Sequence, residues 1–456
     1  MSAEIANSRA SSIASQINPN STKLSNTSID NDNDVLIISY SRTPIGTYNG
    51  SLSSLSAVQL AAHTIKHTVK QSAIPSYMIE ECIIGNVLSA NLGQAPARQA
   101  ALLGDLPVTT VCSTINKVCA SGMHALKLGA QQIQLSQRDI VLVGGCESMS
   151  NTPFYTPRTL PKLGNTQLID GMQYDGLFDP YSLSAMGVSA ELCAQKYNIT
   201  REQQDQYAIQ SYQRAQYASN NGLFNNEIVP IQVKHKGKLI TVTHDDGPNK
   251  IDVKRIPQLK PSFHTKPSKI PQFISLPAHL SNDTHNPYSN NNTVNTGTAT
   301  AGNSSQISDG AASLLLISRS KARELGLLNN VNDILIIRSY SDSETNPLSF
   351  PVSPSLAIPI ALQRAGIKKS QIDYWEINEA FATVVLANQQ ILDISNDRVN
   401  VNGGGVSLGH PIGCSGARII VTLCNILRSN NGRYGCAAIC NGGGGSSCVV
   451  IERQVV

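Results

Sequence analysis

The sequence predicts an α/β fold built from two duplicated halves of alternating strand and helix, with a loop region inserted between them. Three observations carry this reading. Charged residues make up only 14% against 41% hydrophobic, and 33 glycines with 5% aromatics suit many tight strand-to-helix turns rather than a disordered or coiled-coil chain. Short apolar runs alternate with helix-periodic stretches. The same order of elements then appears twice, roughly 300 residues apart, which signals two related halves and not a solenoid. At 456 residues the chain also exceeds a single small core.

Residues 1–33 are rich in Ser, Asn, Ile and Ala, run into Asp30-Asn31-Asp32-Asn33-Asp34, and show no apolar period. They are expected to form a disordered extension off the core. Val35-Leu36-Ile37-Ile38-Ser39 begins the order as a buried strand. Residues 55–70 read as a helix; His63 and His67 have the spacing of a metal pair, but Lys66 and Lys70 flank them, so a solvated face is the expectation. Cys82–Leu88 is a second strand, and a helix follows Pro96. Next come Asn116–Ala125 and the strand Asp139–Gly145.

The last third repeats this order. Asp333–Ile337 matches Asp34–Ile38, and Tyr374–Asn378 matches the Cys82 strand. Gly413–Ala417 matches Cys119–Met123, and Gly435–Cys440 matches the strand ending near Cys146. Ser121 is as far from Cys146 as Ser415 is from Cys440. Halves packed about a pseudo-twofold axis would bring both small-residue helix starts to one centre, where loops at the carboxyl ends of strands meet. The expected division is 1–33, then 34–305 with a loop region at about 150–295, then 306–456. Within that region Ala190–Tyr197 and Glu202–Ala218 read as helices, the second behind a cap-like Thr200. Residues 227–242 alternate like a hairpin, Lys250–Lys260 is a basic cluster, and 264–295 is a polar insertion.

Several function classes are disfavoured. The net charge is only +4, with no basic stripe interleaved with aromatics, so nucleic-acid binding is not indicated. No apolar run reaches the ~18–20 residues of a membrane span. None of the ten cysteines forms a Cys-x-x-Cys pair, and without a secretory signal the thiols are expected to stay reduced. The N-terminus is too poor in Arg for a typical mitochondrial presequence, so a cytoplasmic location is expected, with mitochondrial as the alternative.

The chemistry sits in four segments. Asn116-Lys117-Val118-Cys119-Ala120-Ser121-Gly122 places one cysteine before a helical run, where unpaired N–H groups and the helix dipole would favour thiolate. A buried structural cysteine is the commoner case. Asn402-Gly403-Gly404-Gly405-Val406-Ser407-Leu408-Gly409-His410-Pro411 presents an imidazole from a closely specified turn. Its glycines fit neither the P-loop nor the dinucleotide fingerprint. Cys440-Asn441-Gly442-Gly443-Gly444-Gly445 ends a strand with a thiol and opens backbone N–H groups, and Asn378-Glu379-Ala380-Phe381 puts an amide at a strand end. Two thiols, one imidazole, one amide and backbone donors are the parts that acyl-thioester chemistry needs.

Together with Gly297–Ala312, these segments resemble the signatures of the thiolase family over nearly all of Val35–Glu452. Asn-Lys-Val-Cys-Ala-Ser-Gly and Cys-Asn-Gly-Gly-Gly-Gly look most like the potassium-dependent acetoacetyl-CoA thiolases. The resemblance implies the thiolase fold, two βαβαβαββ halves in five layers (α-β-α-β-α). It implies reversible condensation of two acetyl-CoA to acetoacetyl-CoA and CoA, with no covalently bound cofactor. Cys119 would carry the acetyl group, His410 would take the Cys119 proton, Cys440 would remove the α-proton, and Asn378 would hold a water. The N–H groups of Cys119 and Gly442 would hold the acyl oxygen. Coenzyme A contacts would fall on Tyr212, Lys250, Ile251, Asp252, Arg255 and Ser305, and a potassium ion on Tyr212, Ala301, Gly302, Ser304 and Val406. A homodimer or homotetramer is implied.

Relatives commonly carry His where this chain has Ala185, which loosens a contact near the pantetheine. The alternatives are a degradative 3-ketoacyl-CoA thiolase of broader chain length and a non-catalytic acyl- or lipid-binding relative. A carrier-dependent ketoacyl synthase would need a second His where Asn378 stands.

Overall fold

The computed structural model describes residues 31–456 except 236, 264–296 and 330. The insertion expected at 264–295, and all of the expected 1–33 extension except 31–33, lie outside the described residues. Residues 31–33 are exposed. Ser320 N donates to Asp32 O at 3.2 Å and Asp32 pairs with Arg323.

The first half runs β1 (Val35–Arg42), α1 (Ala57–Ser72), β2 (Glu81–Gly85), α2 (Pro96–Leu103), β3 (Val111–Ile115), α3 (Ser121–Gln134) and β4 (Ile140–Ser148). Helix α1 starts at a capping box, Ser56 with Gln59, and buries its apolar stripe against the sheet. His63 Nε2 lies 3.0 Å from Pro230 O, and no group of three metal-ligating side chains occurs among the described residues. The loop region supplies α4 (Met186–Lys196), α5 (Arg201–Asn220) behind the Thr200 cap, and the hairpin β5 (Ile231–His235) and β6 (Lys238–Val242).

The strand β7 (Ser308–Ser318) pairs with both β1 and β4. It therefore completes the sheet of the first half, although the division at 305/306 placed it in the second. Its eleven residues are all buried, and only a two-sided position in that sheet can take so continuous a run. The second half follows with β8 (Asp333–Glu344), α6 (Pro354–Ala365), β9 (Tyr374–Ile377), α7 (Ala382–Leu392), α8 (Ile412–Ser429), β10 (Tyr434–Asn441) and β11 (Gly445–Val455). The counterpart of β3 is reduced to one bridge, Trp375 to Val399.

The strand order is β9-β10-β11-β8-β1-β7-β4-β2-β3. The halves meet where β1 and β8, the strands matched by the internal repeat, lie antiparallel: Val35 opposite Ile337, Leu36 opposite Ile336, Ile37 opposite Leu335. Helices α3 and α8 pack on each other between the two halves of the sheet, with α1 and α2 outside one and α6 outside the other. Helix α8 is buried continuously from Ile412 to Leu427, enclosed by α3 and by strands of both halves of the sheet. Its contact with α3 depends on glycine. A Cβ at Gly416 would stand 2.5 Å from Met123 N, and one at Gly122 would stand 2.7 Å from Ala417 N. The two small-residue helix starts thus converge at the centre, as the duplication predicts.

Candidate active site

Four chain segments end at this centre. Strand β3 leads into the Cys119 turn, which places Val118 at φ +48°, a costly conformation for a β-branched residue. Local hydrogen bonds hold it: Val118 N donates to Asn116 Oδ1 at 2.8 Å, and Ser121 Oγ donates to Val118 O at 2.6 Å. Helix α3 begins at Ser121 with Ala120 as its cap, so Cys119 lies just outside it. The expected preference for thiolate is not found. Burial pushes the Cys119 thiol up to about 12, against hydrogen bonds from the N–H groups of Gly442 and of Cys119 itself.

Cys440 ends β10, buried with Ala190, Phe350, Ala380, Phe381 and Val384. Burial pushes its thiol well up. Asn378 follows the neighbouring parallel strand β9, and its N–H donates to Ala438 O at 2.9 Å. Its Nδ2 lies 3.4 Å from His410 Nε2. His410 sits between Gly409, at φ +117°, and Pro411, with its own N–H held by Gln306 O at 3.0 Å. Ser415 Oγ donates to Pro411 O at 2.9 Å and so accepts from His410 Nδ1–H at 2.5 Å. That leaves the Nε2 lone pair toward Asn378. Burial, aided by the charge of Arg418, pushes the imidazole down to about 3. The resting site therefore holds two thiols and a neutral imidazole, with Cys119 packed on the same apolar group as Ile412.

Two buried carboxylates that the sequence did not single out hold these segments. Glu147, at the end of β4, accepts from Asn86 Nδ2 (2.8 Å), Leu88 N (3.1 Å), Val87 N (3.2 Å) and Gly413 N (2.9 Å). It thereby ties the start of α8 to the first half, and burial pushes it up to about 7. Glu379 accepts from Tyr207 Oη, Ser211 Oγ, Asn400 Nδ2 and Val406 N at 2.7–3.1 Å, which anchors the Asn378 turn on α5. The pairing of the two halves offered one signal for Glu147: it matches Asn441, next to the cysteine.

The residues expected to contact coenzyme A fall in one region but differ in exposure. Lys250, Asp252 and Arg255 are exposed, and Ile251 packs beside buried Tyr212. Ser305 N donates to Ala380 O at 3.0 Å, next to the Asn378 turn. Phe263 meets Phe381 edge-on at 5.9 Å. Ala185 caps α4 ahead of Met186, whose methyl lies 3.4 Å from the position of a Cβ on Gly442.

The expected potassium residues are also neighbours. Gln306 Nε2 donates to Tyr212 Oη at 3.1 Å and to Val406 O at 3.2 Å. Gly302 packs on Ile256, which shares an apolar group with Tyr212 and Val406. Ser304 Oγ is buried with no hydrogen-bond partner among the described residues, and Ala301 is exposed. Hydroxyl and carbonyl oxygens of this kind fit a hard monovalent cation.

Comparison with known proteins identifies the family and the fold. Residues 35–270 match the thiolase N-terminal domain and 332–453 the thiolase C-terminal domain. Acetyl-CoA acetyltransferase 2 of Arabidopsis thaliana is 48% identical over 426 residues, covering 92% of this chain and 98% of the relative. A cytosolic acetyl-CoA acetyltransferase of Gibberella zeae is 45% identical over 423 residues, 92% of this chain and 98% of its own. The crystal structure of an Ascaris suum thiolase in complex with coenzyme A superposes with a TM-score of 0.81 at 42% identity, over 92% of this chain and all of the other. By its paired domains and its duplicated fold, this chain belongs to the thiolase family.

Proposed function

We propose that this chain is an acetyl-CoA C-acetyltransferase that condenses two acetyl-CoA, reversibly, to acetoacetyl-CoA and CoA. The observation that carries the reading is His410, held at Nδ1 by Ser415 with its Nε2 lone pair toward Asn378, at the centre where the helix starts behind the Cys119 and His410 turns pack on each other. Cys119 attacks the first thioester as its proton passes to His410 Nε2. The N–H groups of Cys119 and Gly442, which bond the sulfur at rest, hold the developing oxyanion. Cys440 gives its proton to the departing CoA sulfur and becomes the thiolate that takes the α-proton of the second acetyl-CoA. The enolate oxygen is held at His410 and Asn378. Its carbon attacks acetyl-Cys119, acetoacetyl-CoA leaves, and His410 returns the proton to Cys119. Protons and electron pairs balance over the cycle.

Phe350, Phe381, Met186 and Phe263 close the space around Cys440 and favour short acyl groups. Exposed Lys250 and Arg255 suit the phosphates of coenzyme A, with Tyr212, Ile251, Asp252 and Ser305 along the approach. Tyr212, Ala301, Gly302, Ser304 and Val406 would hold a potassium ion, which supplies a fixed charge to order the turn beside Ser305. A homodimer or homotetramer is supported by β3, an edge strand with Val111 48% exposed. No helix among the described residues is long and apolar enough to cross a membrane. The cytosolic relative supports a cytoplasmic location.

The test is acetyl labelling and steady-state condensation by wild type and Cys440→Ala, with and without potassium. Cys440→Ala is expected to acylate at Cys119 yet to condense at least about a hundredfold more slowly. Normal condensation by this variant would remove the role of Cys440. Faster thiolysis of long 3-ketoacyl-CoAs than of acetoacetyl-CoA by wild type would overturn the substrate assignment.

A further inference from the structure

Away from the active site, two further thiols share one face of the sheet beside a fixed cation. Cys82 in β2 and Cys112 in β3 are register partners in a parallel strand pair. Neighbouring strands run about 4.7–4.9 Å apart. That spacing falls within the roughly 4.4–6.8 Å that separates the Cα atoms of a disulfide. Both side chains lie on the face that packs on α1 and α2, where Cys82 belongs to the buried apolar group and Cys112 packs against it.

The cation is Arg98 on α2. Its Nη1 donates to Thr110 O at 2.8 Å and its Nη2 to Val108 O at 2.7 Å, which fixes the guanidinium on the loop before β3. Nη1 then stands 3.9 Å from Cys112 Sγ, which also lies 3.4 Å from Thr110 O. The carboxylate beside Cys82, Glu81, is engaged with Arg138 at 3.3 Å. The neighbouring Cys82 thiol and the Arg98 charge draw Cys112 below the ordinary thiol range, against burial, while Cys112 and enclosure push Cys82 well up. Of the ten cysteines, only Cys112 and Cys119 are not fully buried, and Cys119 is kept protonated. Cys436 and Cys448 have sulfurs 3.4 Å apart, yet both are enclosed in the core. An exposed sulfur, a cation and a second thiol at disulfide separation come together at Cys112.

We propose that Cys112 and Cys82 form a peroxide-sensitive dithiol, in which Arg98 makes Cys112 reactive toward a hydroperoxide and Cys82 closes the disulfide. The Cys112 sulfur attacks one peroxide oxygen, the O–O bond breaks, and the departing hydroxide takes the Cys112 proton and leaves as water. Cys112 is then a sulfenic acid. The Cys82 sulfur displaces its hydroxyl: the S–S bond forms, the S–O bond breaks, and the Cys82 proton leaves in a second water. Two thiols lose two electrons and one peroxide gains them.

The experiment treats the full chain with hydrogen peroxide near pH 7, alkylates the remaining thiols, and maps the digested peptides by mass. It compares wild type, Cys112→Ser, Cys82→Ser and Arg98→Met, with thermal midpoints recorded for each. Wild type is expected to give a linked Cys82–Cys112 peptide while Cys436 and Cys448 stay reduced. Cys82→Ser is expected to stop at a Cys112 sulfenic acid that dimedone labels, and Cys112→Ser to give neither product. Arg98→Met is expected to slow the linkage at least about twofold, since the thiolate loses its cation. Absence of the linked peptide in wild type would overturn the proposal, as would earlier oxidation of Cys119 or Cys440. So would an unchanged rate in Arg98→Met that folds.

Discussion

Cys119 is the nucleophile candidate, yet its surroundings keep it protonated. A sulfur on a turn before a helix draws on N–H groups, and two of them do bond it. Enclosure in an apolar site acts the other way and wins. The His410 ring is equally reluctant to take a charge, so the resting site stores neither thiolate nor imidazolium. Alkylation of Cys119 by iodoacetamide is therefore expected to be slow at pH 7 and to keep rising through pH 9 with no plateau. A plateau near pH 7 would show a preformed thiolate. The motif residues were legible from their order along the chain. Their charge states were not, because a pKa depends on the dielectric that distant segments create around it.

Among the elements, α3 and α8 bear most on the site, because they carry the Cys119 and His410 turns into contact. Gly122 and Gly416 set their separation, and the internal repeat aligns the two glycines with each other. A Gly416→Ala substitution would drive its Cβ onto the backbone of Met123. It is expected to destabilise the protein by about 1–3 kcal/mol, read as a lower unfolding midpoint in urea. An unchanged midpoint would mean that the helices shift freely. Helix α5 behind Thr200 and the hairpin after Val229 were legible from their own residues, a cap before a helical run and an alternating pattern. Strand β7 was not assigned to its half correctly, because a strand buried on both faces does not say in its own residues which sheet it joins. That is settled by partners such as Val143 and Tyr40, far away in the chain.

Across the whole molecule, the halves are clamped at Asp342 on β8. Lys117 Nζ donates to it at 2.9 Å and Lys127 pairs with it, both from the first half. Burial alone would raise this carboxyl, but hydrogen bonds from Lys127, Ser447 and Lys117 hold it well below the usual carboxylate range. A depressed carboxyl contributes stability that is present above its unfolded value near ~4 and is lost as the pH falls below it. Asp342→Asn is expected to lower stability by about 1–3 kcal/mol at pH 7. That deficit should shrink in acid, below pH ~4. A deficit independent of pH would show that shape, and not charge, holds the clamp. By itself the sequence determined the duplicated α/β architecture, the motif order and the four candidate side chains, because periodicity and repeats are written locally. Only the tertiary structure decided that β7 belongs to the first half and that Glu147 and Glu379 bind the turns. It alone set the thiols and imidazole at rest without charge, since strand pairing, burial and electrostatic fields arise from contacts between residues hundreds of positions apart.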